Sequence, residues 1–384
     1  MITRDIAYIG VDDTDLDLFE SQYIIPNGFS YNSYLIKDEK IAIMDTADNR
    51  KIDEWLGNLR TALDGRTPDY LVVQHMEPDH AGCIAEILEE YPAIKIVASA
   101  RAIQMMPQFF EGKDFSQNAI AVKEGDTLSL GEHILQFFMA PMVHWPEVMV
   151  TYDKKDKVVF SADGFGKFGA LSHEEDWACE ARRYYFNICG KYGGPVQALL
   201  KKLATLDVEC ICPLHGPILK ENLGYYIGLY DTWSKYDVET EGVFIAYASI
   251  HGGTAAVANV MAEILREKGA KKVSVADLSR DDMAEAIEDA FRMDKMIVAA
   301  ASYDGGVFPV MHDFLHHLQI KAYQKRRVGI IENGSWAPCA GRVMRGMLEQ
   351  MKDVEIVEPM VTILSRMKQS DRAALEALAD AILK

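Results

Sequence analysis

Up to about residue 240, apolar residues fall in short runs rich in Val, Ile and Tyr, bounded by Asp, Gly, Asn or Lys-Asp turns. The runs at 31–36, 41–45, 70–74, 94–99 and 148–152 predict strands, and longer amphipathic stretches at 51–62, 83–90 and 101–110 predict helices. Between Glu174 and Leu206 the spacing turns helical (Tyr184, Tyr185, Ile188, then Val196, Leu199, Leu200, Leu203). Gly190 to Gly194 interrupt it, so two helices joined by a turn are expected. Beyond Glu241 the pattern becomes a regular alternation. Strands are expected at 243–248, 272–277, 296–301, 328–332 and 355–363, and helices at 254–268, 281–291, 309–322, 340–351 and 371–383. Such an alternation predicts an α/β fold with a doubly wound parallel sheet. The earlier part reads as a layered α/β domain with mixed or antiparallel sheets. The polar stretch TWSKYDVETEG reads as the junction, which puts the two domains at 1–241 and 242–384.

Composition narrows the class. With 49% hydrophobic and 26% charged residues, the chain has the make-up of a globular protein. No apolar run approaches the ~20 residues of a membrane span, and the N-terminus turns acidic too early for a secretory signal, so a cytoplasmic location is expected. A formal net charge of -18 disfavours nucleic acid as a partner, and Lys325-Arg326-Arg327 is too short a basic cluster to reverse that. The six cysteines are scattered without a C-x-x-C pair, so neither a disulfide framework nor a four-thiolate metal site is indicated. Cys210 and Cys212 alternate along a strand-like run and are expected to share one face of it.

The densest chemistry lies at His75-Met76-Glu77-Pro78-Asp79-His80, directly after the run YLVVQ. Packing has no use for four metal-binding side chains crowded at a strand end. His144 follows LQFFMAPMV, Asp163 follows VVFSA and His215 follows VECICPL, so these three also stand at strand ends that can converge on one edge. Together the set is too large for one mononuclear site and suits two metals sharing a carboxylate. The remaining histidines have simpler readings: His133 in a turn, His173 in a loop, and His312, His316 and His317 along one packed or solvent-facing helix.

This pattern resembles the metallo-β-lactamase superfamily motif H-x-H-x-D-H, with Glu77 in place of the second histidine. The form H-x-E-x-D-H followed by His, Asp and His is similar to that of the flavodiiron proteins. A further hard, anionic oxygen ligand favours iron over zinc. The resemblance implies that His75, Glu77 and His144 bind one iron, that Asp79, His80 and His215 bind the other, and that Asp163 bridges them. The position of His80 does not coordinate in every member. Asp45, closing IAIMD, resembles a structural position of the same fold.

In the C-terminal part, VFIAYA runs into Ser249-Ile250-His251-Gly252-Gly253-Thr254 and a helix. This is a hydroxyl- and glycine-rich turn that can close backbone N–H groups around a phosphate. It is neither G-x-G-x-x-G nor a Walker loop. Ser302-Tyr303-Asp304-Gly305-Gly306 and Asn333-Gly334-Ser335-Trp336-Ala337 follow later strands and would flank the same sheet edge. The whole segment resembles flavodoxins, which implies FMN at these three loops with Trp336 beside the ring.

Taken together, the resemblance implies a metallo-β-lactamase-like αββα sandwich followed by a flavodoxin-like domain. It also implies FMN feeding electrons to a diiron site that reduces dioxygen to water or nitric oxide to nitrous oxide. Head-to-tail homodimers or dimers of dimers are implied, as is a separate electron donor, with rubredoxin first and a reduced deazaflavin second. Met142, Trp145, Tyr31 and Tyr184 are candidates to shape the pocket. The competing readings are a zinc metallohydrolase with an accessory flavodoxin-like domain and a non-enzymatic electron carrier.

Overall fold

A computed structural model describes residues 2–384. The chain divides into two compact units, one formed by residues 1–185 and 192–231, the other by 186–191 and 232–384.

The first unit is built on two facing sheets. One has the strand order Ile6–Tyr8, Tyr34–Lys37, Ile41–Met44, Tyr70–Val73, Lys95–Ser99 and Ala119–Val122. Its first three strands are antiparallel and the remaining pairings parallel. The other runs Thr127–Ser129, Ile134–Met139, Met149–Asp153, Val158–Phe160 and Cys210–Cys212, and only the last pairing is parallel. Alternate residues of both sheets meet in one core, Ile36, Met44, Val72 and Val97 from the first against Phe137, Met149, Phe160 and Cys212 from the second. Cys210 and Cys212 do share that face, with Sγ atoms 3.8 Å apart. Amphipathic helices, among them Ile52–Leu63 and Gly193–Leu203, bury Trp55, Leu59, Leu199 and Leu203 along their inner faces. The result is the αββα sandwich.

Two expectations change here. The strand expected at 31–36 breaks at Asn32 and Ser33 into Phe29–Tyr31 and Tyr34–Lys37. Asn32 turns away from the sheet because its N–H donates to Leu214 O and its amide to Pro213 O and Gly216 O. The stretch expected as a polar junction, 232–242, is irregular only in its middle: residues 232–234 end the helix Leu223–Ser234, which the sequence reading did not anticipate, and residues 240–242 begin the strand Thr240–Ala248. That helix is apolar and aromatic on nearly every side, so it shows no contrast at a 3.6-residue period.

The second unit is a parallel sheet in the order Val273–Asp277, Thr240–Ala248, Met293–Tyr303, Arg327–Asn333 and Glu355–Ile363. The helices Gly253–Glu267 and Arg372–Ile382 pack Val257, Met261, Leu375 and Leu378 onto one face. The strand Thr240–Ala248 reads near-continuously apolar from Val243 onward because both its faces are covered. The strand order reverses between Thr240–Ala248 and Met293–Tyr303, and the loops beyond their carboxyl ends open the crevice that such a reversal creates.

Candidate metal centre

The strand Tyr70–Val73 is buried and ends at Gln74, whose backbone N–H and side-chain amide both donate to Asp45 (2.7 and 2.9 Å). Asp45 thus acts as a buried structural anchor at a left-handed position, and burial pushes its carboxyl up to about 6. The chain then turns through a single helical turn, Pro78–Ala81, with proline at its start. Thr46 pins that turn, its N–H and Oγ1 both donating to His80 O. Gly82 completes the close approach, since a Cβ there would lie 2.5 Å from Pro78 O. Met142 and Ala162, shortly before His144 and Asp163, also hold left-handed backbone conformations. Strain of this kind survives only where surrounding contacts impose it.

The seven residues singled out in the sequence meet in two groups, His75, Glu77, His144 and Asp163 in one and Asp79, His80 and His215 in the other. Asp163 stands between them. Its Oδ2 lies 3.2 Å from the Nε2 atoms of both His75 and His144, and its Oδ1 lies 3.3 Å from His80 Nε2 and 3.5 Å from His215 Nε2. Glu77 Oε2 approaches His75 and His144 at 3.1 and 3.0 Å, and Asp79 Oδ2 approaches His80 and His215 at 3.3 Å each. The Nε2 atoms of His80 and His215 are 3.0 Å apart.

Both carboxylate oxygens of Asp79 and of Asp163 are buried without a hydrogen-bond donor. Uncompensated buried carboxylates are costly, and here they face imidazole nitrogens at metal-sharing distances. The donor set therefore fits cations rather than a hydrogen-bonded core. The electrostatics agree. Burial alone would lower His75 and raise Asp163, yet their mutual attraction, with the other site carboxylates and imidazoles, holds His75 well above and Asp163 well below its usual range. Burial pushes Asp79 up to about 7 against the pull of His80. His215 is lowered, chiefly by burial.

The aromatic candidates do surround the centre. Trp145 lies edge-on to His75 with ring centroids 5.2 Å apart, while Tyr184 and Tyr31 lie 5.6 and 6.5 Å from the His215 ring. His133, expected in a turn, is buried and bonded to Asp153 (3.0 Å), tying the start of one strand to the end of the next. His173, His312 and His316 are exposed.

At the carboxyl edge of the second unit, Ser249 Oγ accepts from Gly252 N (3.1 Å) and Gly252 adopts a φ of 82°, opening the helix Gly253–Glu267. A Cβ at Gly253 would meet Ser365 O at 2.4 Å. Asn333 ties the turn together, donating to Thr254 Oγ1 and Ser365 O. Ser302 Oγ accepts from Cys339 N and Ala340 N, capping the helix Ala340–Leu348. Ile250, Tyr303 and Trp336 stand out into solvent, Trp336 at 91% exposure.

A family profile described as "ODP family beta lactamase" matches residues 29–216. A diflavin flavoprotein A of Synechocystis sp. is 30% identical over 96% of this chain, which spans 64% of that protein's length. An anaerobic nitric oxide reductase flavorubredoxin of Escherichia coli is 28% identical over 88% of this chain and 72% of its own. The solved rubredoxin oxygen:oxidoreductase of the anaerobe Desulfovibrio gigas superposes with a TM-score of 0.93, covering 100% of this chain and 97% of that one at 26% identity. Along its whole length the chain is similar to flavodiiron proteins. By their names these relatives are oxidoreductases.

Around the centre stand residues that sequence reasoning passed over. Glu147 accepts from His75 Nδ1 (2.8 Å), Ser30 O accepts from His215 Nδ1 (2.7 Å), and the Phe29 ring stacks on His215 at 4.1 Å. Phe19, on the small ribbon of Leu18–Phe19 and Tyr23–Ile24, also reaches His215. Glu20 at the tip of that ribbon stands beside Glu77, and burial together with that carboxylate raises its pKa. At the carboxyl edge of the second unit the missed element is the loop at Ser365. Among these, only Glu147 carried a signal, two acidic or imidazole residues within four positions in HWPE. The others act through backbone atoms or ring faces.

Among the described residues no helix is long and apolar enough to cross a membrane.

Proposed function

We propose that the chain is an FMN- and diiron-dependent reductase that takes dioxygen to water, nitric oxide to nitrous oxide, or both. The observation that carries this reading is the placement of Asp163, one oxygen toward each group of candidate ligands. In this reading His75, Glu77 and His144 hold one iron, Asp79, His80 and His215 hold the second, and Asp163 bridges them. Two ferrous ions held by these residues would supply electrons to a diatomic substrate. Four electrons and four protons convert one dioxygen to two waters, while two of each convert two nitric oxides to nitrous oxide and one water.

The chain's own residues prepare the site for that chemistry. Glu147 and Ser30 orient the outer nitrogens of His75 and His215, so that both Nε2 atoms face the centre. Phe29, Phe19, Tyr184 and Trp145 line the surroundings with aromatic faces, which lowers the local dielectric and suits an apolar diatomic. Ser249 to Thr254 offer helix-terminal N–H groups to the FMN phosphate, Ser302 to Gly306 and Asn333 to Ala337 flank the ring, and Trp336 presents it a flat exposed surface. A bound flavin would take its electrons from a separate donor such as rubredoxin, and a head-to-tail dimer would bring one protomer's flavin to its partner's irons. The cytoplasm is the natural setting.

The test is anaerobic stopped-flow on reduced, iron-loaded, FMN-replete protein mixed separately with each gas. Rapid multi-turnover flavin reoxidation by one gas or both is expected and identifies the substrate. Reoxidation no faster than that of free reduced flavin in oxygen, together with zinc retention and ester or phosphodiester hydrolysis, overturns the reading in favour of a hydrolase.

A further inference from the structure

The two groups of candidate ligands look alike from inside the centre and differ on its outer side. His75 Nδ1 donates to Oε1 of Glu147, a buried carboxylate that also accepts from Met76 N at 3.0 Å. The Glu147 backbone is fixed in turn by Ser99 Oγ, which donates to its carbonyl at 2.8 Å. In the other group, His215 Nδ1 donates to a neutral backbone carbonyl, Ser30 O, and His80 Nδ1 meets no protein acceptor. An anion behind an imidazole draws its N–H proton outward and makes the inner nitrogen a stronger donor. A neutral carbonyl does this more weakly. A stronger donor stabilises the higher charge of a bound ion. The anion also adds its own field in a buried site, where screening is weak. Both effects favour the ferric state on the His75 side.

We infer, on the diiron reading above, that Glu147 is a positioning residue whose buried charge makes the iron held by His75, Glu77 and His144 the easier of the two to oxidise. When one electron leaves the diferrous centre for an external acceptor, the ferric charge then stays on the His75 side. The two irons have fixed and unequal roles, set by one carboxylate that touches neither.

The test is an EPR-monitored redox titration of the full chain, iron-loaded and FMN-replete, with chemical mediators as electron acceptors. Glu147→Gln keeps the side chain's size and an acceptor oxygen for His75 but removes the charge. It is expected to bind two irons and to raise the lower of the two diiron potentials by at least a tenfold change in equilibrium, ~59 mV for one electron. The upper potential is expected to move less, so the mixed-valent EPR signal reaches a smaller maximum. Wild-type potentials in Glu147→Gln, with a change only in Glu147→Ala, would show a structural prop and overturn the inference, as would movement of the upper potential alone. Should Glu147→Gln lose iron, Glu147→Asp decides. Recovery of two irons with near-wild-type potentials supports the role of charge, and continued loss overturns it. A wild-type protein holding fewer than two irons, or giving no mixed-valent signal, overturns the diiron reading itself and is recognisable without any Glu147 variant.

Discussion

The candidate metal edge of the first unit and the proposed flavin edge of the second solve the same problem, placing chemistry at strand ends, in opposite ways. At the metal edge His75, Asp79, His80, Asp163 and His215 are all buried, and their approach is dictated by Asp45, Thr46, Ser30 and Glu147. At the flavin edge Ile250, Tyr303 and Trp336 face solvent, and the loops are tied to one another by Asn333, Ser302 and Ser365. A cluster of ionisable groups has to be preorganised and shielded, because repulsion among carboxylates would otherwise scatter it. A planar cofactor brings its own surface, so its site needs only a firm phosphate turn and rings left free to stack.

The most severe test of this contrast is Asp163→Ala, which removes the one carboxylate facing both groups. Iron content should fall from two per chain toward none, and gas reduction should drop by more than the ~10–100-fold of an outer-shell change. Metal analysis and stopped-flow check it, and FMN content should stay unchanged. A variant keeping both irons would end the bridging role of Asp163.

At the other edge, Gly253→Ala forces a Cβ to within 2.4 Å of Ser365 O. Overpacking of this kind costs about 1–3 kcal/mol. Calorimetry should show the second unit destabilised and FMN bound less well, while iron content is kept. Wild-type FMN affinity would mean that the phosphate turn tolerates movement.

Protonation sharpens the contrast further. In the metal-free protein Asp79 is pushed up to about 7, mainly by burial, and His144 up to about 9, where Asp163 and Glu77 outweigh the lowering by burial. Both folded values exceed the unfolded ones. The stability they contribute is therefore complete below the unfolded pKa and is lost as pH rises through the folded one. The melting temperature of the chelated protein should fall between about pH 4 and pH 9, first through Asp79 and then through His144. Over the same range iron affinity should rise, since the ligands must shed their protons. Parallel melting profiles with and without iron would contradict this.

The smallest effect is expected at Trp336→Ala. Losing an aromatic stack worth about 0.5–1.5 kcal/mol should weaken FMN binding by roughly 2- to 10-fold. The flavin-free melting point should not move, because the side chain is 91% exposed. Fluorescence titration measures the first and calorimetry the second.

Much of this was legible in the chain. H-x-E-x-D-H after YLVVQ announced itself because packing cannot explain four ligand-type residues at one strand end. The C-terminal alternation announced its sheet because buried parallel strands and amphipathic helices leave opposite periodicities. The helix Leu223–Ser234 was hidden by its uniform apolarity, and the break at Asn32 by bonds to Leu214, Pro213 and Gly216, far along the chain.

What the sequence by itself determined is the inventory of side chains for the centre, the order of the two units and the three loops at the flavin edge, since each depends on local spacing. Only the tertiary structure decided that Asp163 faces both groups, that Glu147 backs one histidine while a carbonyl backs another, and that Ser365 closes against Gly253. Those contacts join residues dozens to hundreds of positions apart, and no local pattern records which strand ends the sheets will bring together.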